Sequence, residues 1–179
     1  MGLALMLVEL GASKMFPAPL TAALLVVLLL LLTRGLHIDG LMDVCDGLFG
    51  GATPERRMEI MRDSRVGAFA VAGAVGVLLL KYGGLVSLTS LASPGKEMTL
   101  LLFPAISRWT MVAALAAFPY ARSHGLGSPF HQGNVFPTTV LAALVTTLIA
   151  VLFGGVAAAG ILIGATLFCL LYTSDAADE

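Results

Sequence analysis

Charge is scarce in this sequence. Asp, Glu, Lys and Arg make up 12% of its 179 residues, against 58% hydrophobic residues, and the mean hydropathy is +0.96. Those values exclude an ordinary soluble domain and read as a polytopic membrane protein. Basic tracts are missing as well, so no nucleic-acid partner is assigned, and the net charge of -1 adds nothing to that. The two cysteines, Cys45 and Cys169, are too few and too far apart for a disulfide framework or a zinc site. Met1 to Leu10 is apolar but has no basic leading region, and Glu9 interrupts it, so a signal peptide is not expected. The sequence shows no internal repeat and no soluble second domain, and it assigns no oligomeric state.

The charge that is present is gathered in one place. Arg34 to Gly67 holds Asp39, Asp43, Asp46, Glu55, Glu59 and Asp63, with Arg34, Arg56, Arg57, Arg62 and Arg65 among them. More than half of the charged residues thus sit in under a fifth of the chain. A membrane protein that concentrates its charge in this way does its chemistry there. Asp39, Asp43 and Asp46 stand at i, i+4 and i+7, so a helix projects all three from one face. Carboxylates stacked about 5–6 Å apart repel one another and need a cation, an arginine or a raised pKa. Mg²⁺ is the natural counter-ion, because it takes oxygen ligands from one or two carboxylates plus substrate phosphates. Gly40 and Gly47 each follow an aspartate, and a glycine there lets a phosphate ligand approach the backbone. An exposed loop with scattered acids is the plain alternative, and the apolar spacers Leu41, Met42 and Val44 argue against it. His37 is open between a metal ligand, a proton carrier and a structural role. Cys45 reads as a small buried filler rather than a nucleophile.

Thr53, Pro54 and Glu55 read as an N-cap, an N1 proline and a first-turn acid. From there to about Arg65 the pattern is amphipathic, which predicts a short interfacial helix. Arg56 and Arg57 read as markers of a cytoplasmic loop. Asp63, Ser64 and Arg65 fall where that helix meets the next apolar span, a position suited to metal and phosphate contacts.

The rest of the chain reads as an all-α transmembrane bundle of about five spans. They cover roughly 20–33 (extended through Gly35 to Ile38 to make up the length), 66–80, 98–118, 138–153 and 156–172. Lys81 to Glu97 reads as a short connection with turn signals at Gly83-Gly84 and Pro94-Gly95. Arg108 lies inside the third span and is open between a phosphate contact and a structural pairing. Pro119 to Pro137 forms a second polar loop with Arg122, His124 and His131, whose intervening glycines and proline speak against metal ligation by the two histidines. The five arginines between the first two spans place that stretch in the cytoplasm, and counting spans returns the second polar loop to the same side. Residues 1–172 form one integral membrane domain, expected to be incomplete at both ends. The polar TSDAADE of residues 173–179 is expected to be foreign to it.

HIDGLMDVCDGLFGG followed by ERRMEIMRDSRVGAF closely resembles the signature region of the cobalamin synthase family, the adenosylcobinamide-GDP ribazoletransferases. Tyr120-Ala121-Arg122 with Gly125-Leu126-Gly127 resembles a further loop of that family, whereas its C-terminal G-D-x-x-G-A block is absent. The resemblance implies transfer of the adenosylcobinamide-phosphate group from adenosylcobinamide-GDP to α-ribazole or its 5′-phosphate, with release of GMP, in the bacterial inner membrane. It implies Asp39, Asp43 and Asp46 as ligands of Mg²⁺, Asp63 as a further ligand or the base, and Arg65 as a phosphate contact. His37, Gly40, Gly47, Ser64, Arg108 and Arg122 are the implied substrate-binding residues, and membrane lipid is the surrounding partner. A CDP-alcohol phosphotransferase would show an Ala-Arg pair after its first Asp-Gly, where Leu48-Phe49-Gly50-Gly51 stands. An ion-coupled transporter would carry its acids at the midplane instead of at one interface.

Overall fold

The computed structural model of the chain describes residues 1–89, 91, 94–118 and 136–178. All regular structure among them is helical: α1 (Gly2–Ala12), α2 (Ala18–Leu32), α3 (Leu36–Gly50), α4 (Pro54–Ile60), α5 (Ala68–Thr89), α6 (Gly95–Ala117) and α7 (Phe136–Asp178). The all-α expectation is met. Two compact units contain these elements, one essentially Leu3–Lys96 and the other Glu97–Glu179.

In the first unit α5 packs against α2 and α3, and α3 packs against α4. Leu5, Ala12, Ala22, Leu25, Ala70, Ala74 and Leu85 are among its buried apolar residues. Glu9 of α1 is wholly buried at 0% exposure, and its Oε1 lies 2.7 Å from Nζ of Lys96. A carboxylate inside an apolar unit persists only with such a partner.

The helix expected to run from Leu20 through Ile38 is instead two helices, α2 and α3, bent by 86°. Arg34 (φ 53°) and Gly35 (φ 72°) both adopt positive φ. The Gly35 amide donates to the Leu30 carbonyl at 2.9 Å and the Arg34 amide to Leu31 at 3.0 Å. That pair of bonds is a Schellman closure, and the Thr33 hydroxyl adds a bond to the Leu29 carbonyl at 2.9 Å. The last carbonyls of α2 are therefore satisfied at the bend, and α3 sets off in a new direction.

Gly83-Gly84 also departs from expectation, since α5 runs through both to Thr89. Each glycine costs about 1 kcal/mol in a helix, but Leu85 just beyond them is buried and rewards continuation. The expected interfacial helix is shorter than its pattern, ending at Ile60.

The second unit buries Leu102 of α6 with Ala150, Ala158 and Leu162 of α7. The Trp109 indole N–H donates to Oγ1 of Thr166 at 2.8 Å, and that hydroxyl donates to the Leu162 carbonyl at 2.7 Å. Gly155 (φ 62°) breaks α7, between the segments expected as the fourth and fifth spans.

Among the described residues two helices, α5 and α6, are long and apolar enough to cross a membrane, or three spans if the bent α2–α3 pair counts as one. Shorter apolar helices cover Gly2–Ala12, Phe136–Leu152 and Ala158–Leu167. Many large apolar side chains face outward, Leu80 at 77% and Leu152 at 67% exposure among them, as lipid-facing surfaces of an integral membrane protein do.

Candidate functional site

The acidic face forms as its spacing predicts, because Asp39, Asp43 and Asp46 all lie on α3. Asp39 is exposed, while Asp43 and Asp46 are half-buried. The three have different surroundings. Asp46 points its carboxylate at the start of α5, where Oδ2 accepts from the Gly67 amide at 2.6 Å and Oδ1 from the Ala70 amide at 2.8 Å. Both bonds cross more than 20 residues of chain and join α3 to α5.

Beside that joint, Phe49 of α3 and Phe69 of α5 bring their ring centroids to 5.6 Å. Cys45 fills the space next to Gly73, where an added Cβ would collide with its sulfur. Cys45 is thus a small filler as expected, though half-buried and not buried.

Asp63, Ser64 and Arg65 occupy the exposed link between α4 and α5. The Arg65 guanidinium grips the Asp63 carboxylate, with Nε at 3.1 and 3.0 Å from its two oxygens and a terminal nitrogen 2.6 Å from Oδ2. The Arg65 amide adds a bond to Oδ1 at 3.0 Å. Hydrogen bonding from Arg65 holds the Asp63 pKa down to about 2, and the same pairing raises that of Arg65. A carboxyl held so low is a weak proton acceptor at neutral pH. The Arg65 side chain stays 88% exposed, so the guanidinium is oriented on one side and open on the other.

The capping signal read at Thr53 is present: its hydroxyl accepts from the Arg56 amide at 3.3 Å, with Pro54 at N1. Arg56 pairs with Glu59 at the surface. Arg57 does more than mark topology, since its Nε donates to the Gly51 carbonyl at 3.0 Å and closes the C-terminal end of α3. Gly47 is buried, and the place of a Cβ there is already taken by Met61 and the Arg57 carbonyl. Its smallness serves the α3–α4 contact. Gly40, by contrast, is exposed with open space around it, which keeps the backbone beside Asp39 approachable. His37 is exposed at the start of α3. Arg108 is exposed on α6 in the second unit. Arg122 and the loop around it, with His124 and His131, lie outside the described residues.

Among the described residues, no three His, Cys, Asp or Glu side chains converge as a ready-made metal cage. The donor set is nevertheless of the kind Mg²⁺ takes, namely hard carboxylate oxygens at i and i+4 that leave the remaining positions to phosphate and water. Glycine lets a ligand reach the backbone of α3, and a guanidinium pinned by its own carboxylate stands two residues before the α5 joint. Such an arrangement can bind and orient a phosphate ester.

Comparison with known proteins agrees with that chemistry. A sequence model of the family described as cobalamin-5-phosphate synthase matches residues 1–178. A relative from Desulfitobacterium hafniense (strain Y51), named adenosylcobinamide-GDP ribazoletransferase, is 44% identical over 163 residues, covering 88% of this chain and 63% of its own. A relative of the same name from Geotalea daltonii is 41% identical over 157 residues, covering 88% of this chain and 60% of its own. One from Syntrophobacter fumaroxidans is 45% identical over 119 residues, covering 66% and 47%. The chain therefore spans about half to three fifths of the length of these curated relatives. Comparison with solved structures returns no match.

Proposed function

The chain belongs to the cobalamin-5-phosphate synthase family, and on that premise we propose that the protein transfers the adenosylcobinamide-phosphate group of adenosylcobinamide-GDP to α-ribazole or its 5′-phosphate. The family match along residues 1–178 is the observation that carries this reading. In the reaction a ribazole hydroxyl oxygen forms a bond to the cobinamide-bearing phosphorus. The bond from that phosphorus to the GMP oxygen breaks, GMP departs, and the hydroxyl proton is released.

Phosphoryl-type transfer asks a protein chiefly for positioning and charge neutralisation. Mg²⁺, when bound, would neutralise the diphosphate and hold entering and leaving oxygens in line. Asp39 and Asp43 are the residues we assign to hold it, and Gly40 between them keeps the backbone open to the diphosphate. Asp46 shares their face, but each of its oxygens already accepts an amide of α5, so its first duty is assigned to that joint. Arg65 supplies a guanidinium fork to a phosphate oxygen, oriented by Asp63. The low pKa of Asp63 favours that orienting duty, or an anionic contact to the metal, over the role of base. His37 and Ser64 complete the proposed substrate contacts of this unit.

The same reading places the protein in the bacterial inner membrane with α3 and α4 on the cytoplasmic side, supported by the five arginines between Arg34 and Arg65. The test is GMP release from adenosylcobinamide-GDP by membranes carrying the protein. Release that depends on added α-ribazole or its 5′-phosphate is expected. Equal release without it would show a hydrolase instead.

A further inference from the structure

We propose that Asp46 is a positioning residue, whose carboxylate closes the N-terminus of α5 and thereby fixes the Asp63–Arg65 link against the acidic face of α3. This inference rests on the site described under the proposed function and assigns one of its aspartates a duty other than metal ligation.

The need for an outside cap follows from the sequence of α5. A helix begins with amides that have no intrahelical acceptor, and a Ser, Thr, Asp or Asn at the N-cap normally takes one of them. Here the residue before Ala68 is Gly67, which has no side-chain oxygen, and the first turn of α5 contains no acid. Asp46 supplies both missing functions from another helix. Its Oδ1 takes the amide of Ala70, the third helical residue, and its Oδ2 takes the amide of Gly67 itself. Two side chains share those bonds in a capping box, and one carboxylate makes both here. Its negative charge also sits at the positive end of the helix dipole.

The fit requires Gly67. A Cβ there would lie 2.6 Å from Asp46 Oδ1 and 2.8 Å from Cγ. Gly67 does not occupy the left-handed region, so close approach and not backbone freedom explains the glycine. Cys45 against Gly73 and Phe49 against Phe69 flank the joint, so three successive contacts set the register of α3 on α5. Arg65 is two residues from Gly67. Holding Gly67 on Asp46 therefore sets where the Asp63–Arg65 pair stands relative to Asp43 and Asp39, about one and two turns along α3. Each Asp46 oxygen thus has a lone pair committed to an amide of α5.

Two variants test this in the full chain, in lipid nanodiscs. Asp46→Asn keeps the shape but loses one acceptor and the charge. Gly67→Ala leaves every carboxylate in place and pushes Asp46 off by contact. Amide hydrogen exchange at residues 67–70, the distance distribution between nitroxides at Val44→Cys and Ser64→Cys, and affinity for Mn²⁺ as the metal probe are measured for each. Both variants should speed exchange at Gly67 and Ala70 by at least about tenfold and broaden the nitroxide distance, while Mn²⁺ affinity changes by less than about threefold. Asp43→Asn should show the opposite pattern, with Mn²⁺ affinity falling at least about tenfold and exchange at 67–70 unchanged. A tenfold loss of Mn²⁺ affinity in Asp46→Asn, or unaltered exchange and distance in Gly67→Ala, overturns the assignment. Absence of Mn²⁺ binding in the unmodified protein counts against the metal reading, and exchange and distance then decide the positioning role by themselves.

Discussion

Removing Lys96 should destabilise the protein more than removing any exposed charge. Glu9 is wholly buried, and Lys96 is 15% exposed with its Nζ 2.7 Å from Glu9 Oε1. Neither Glu9 oxygen receives a well-aligned hydrogen bond, so the lysine charge is what compensates the burial of the carboxylate. At an effective dielectric of about 20 the attraction at that distance is roughly 6 kcal/mol, offset by several kcal/mol of desolvation for each ion. Lys96→Met deletes the attraction and leaves the carboxylate's desolvation in place, a loss of about 3–5 kcal/mol. For a chain of this size that corresponds to roughly 6–20 °C in Tm. Thermal unfolding in nanodiscs reads it directly. Glu9→Leu combined with Lys96→Met removes both charges and should regain most of the loss, since an apolar pair of similar volume is neutral or better. A Lys96→Met shift under about 2 °C, or a double variant as unstable as the single, would refute the reasoning.

At the α2–α3 bend, Arg34 adopts the left-handed conformation, so Arg34→Gly should stabilise by about 1 kcal/mol in the same unfolding assay. Gly35→Ala should destabilise by a similar amount, because its φ of 72° is unfavourable for a side chain even with open space around it. In the second unit, Thr166→Val strands the Trp109 indole N–H and should cost about 1–3 kcal/mol. The folded pKa of Asp63 is below its unfolded value, so the order its pairing gives the α4–α5 link is present above the unfolded pKa and is lost as pH falls through about 2. A carbon NMR titration of the Asp63 carboxyl should show no step between pH 5 and 8, and a midpoint near neutrality would contradict the Arg65 clamp.

How much of this was legible in the sequence depends on how far each partner lies along the chain. The register of Asp39, Asp43 and Asp46 was readable because helical spacing is local, and so was the Thr53-Pro54 start of α4. The motif named the family that the match over residues 1–178 shows. Asp46 was not distinguishable from its neighbours, because what separates it is a pair of amides on another helix. Arg57 has a local explanation as a topology marker, which concealed its bond to the Gly51 carbonyl. The bend at Arg34-Gly35 was hidden by the preceding leucine run and by an arginine in a conformation that glycine usually takes. A buried partner for Glu9 across most of the first unit carries no sequence signal at all.

On the proposed function, the acidic face of α3 holds the ion that serves the diphosphate. Turnover per folded molecule of Asp43→Asn across a Mg²⁺ titration, beside Glu55→Gln as an exposed control on α4, tests it most directly. Asp43→Asn protein should be folded, with ribazole-dependent GMP release lowered roughly a thousandfold and a raised Mg²⁺ requirement, while Glu55→Gln stays near the unmodified rate. Near-normal turnover of Asp43→Asn at an unchanged Mg²⁺ requirement would contradict it.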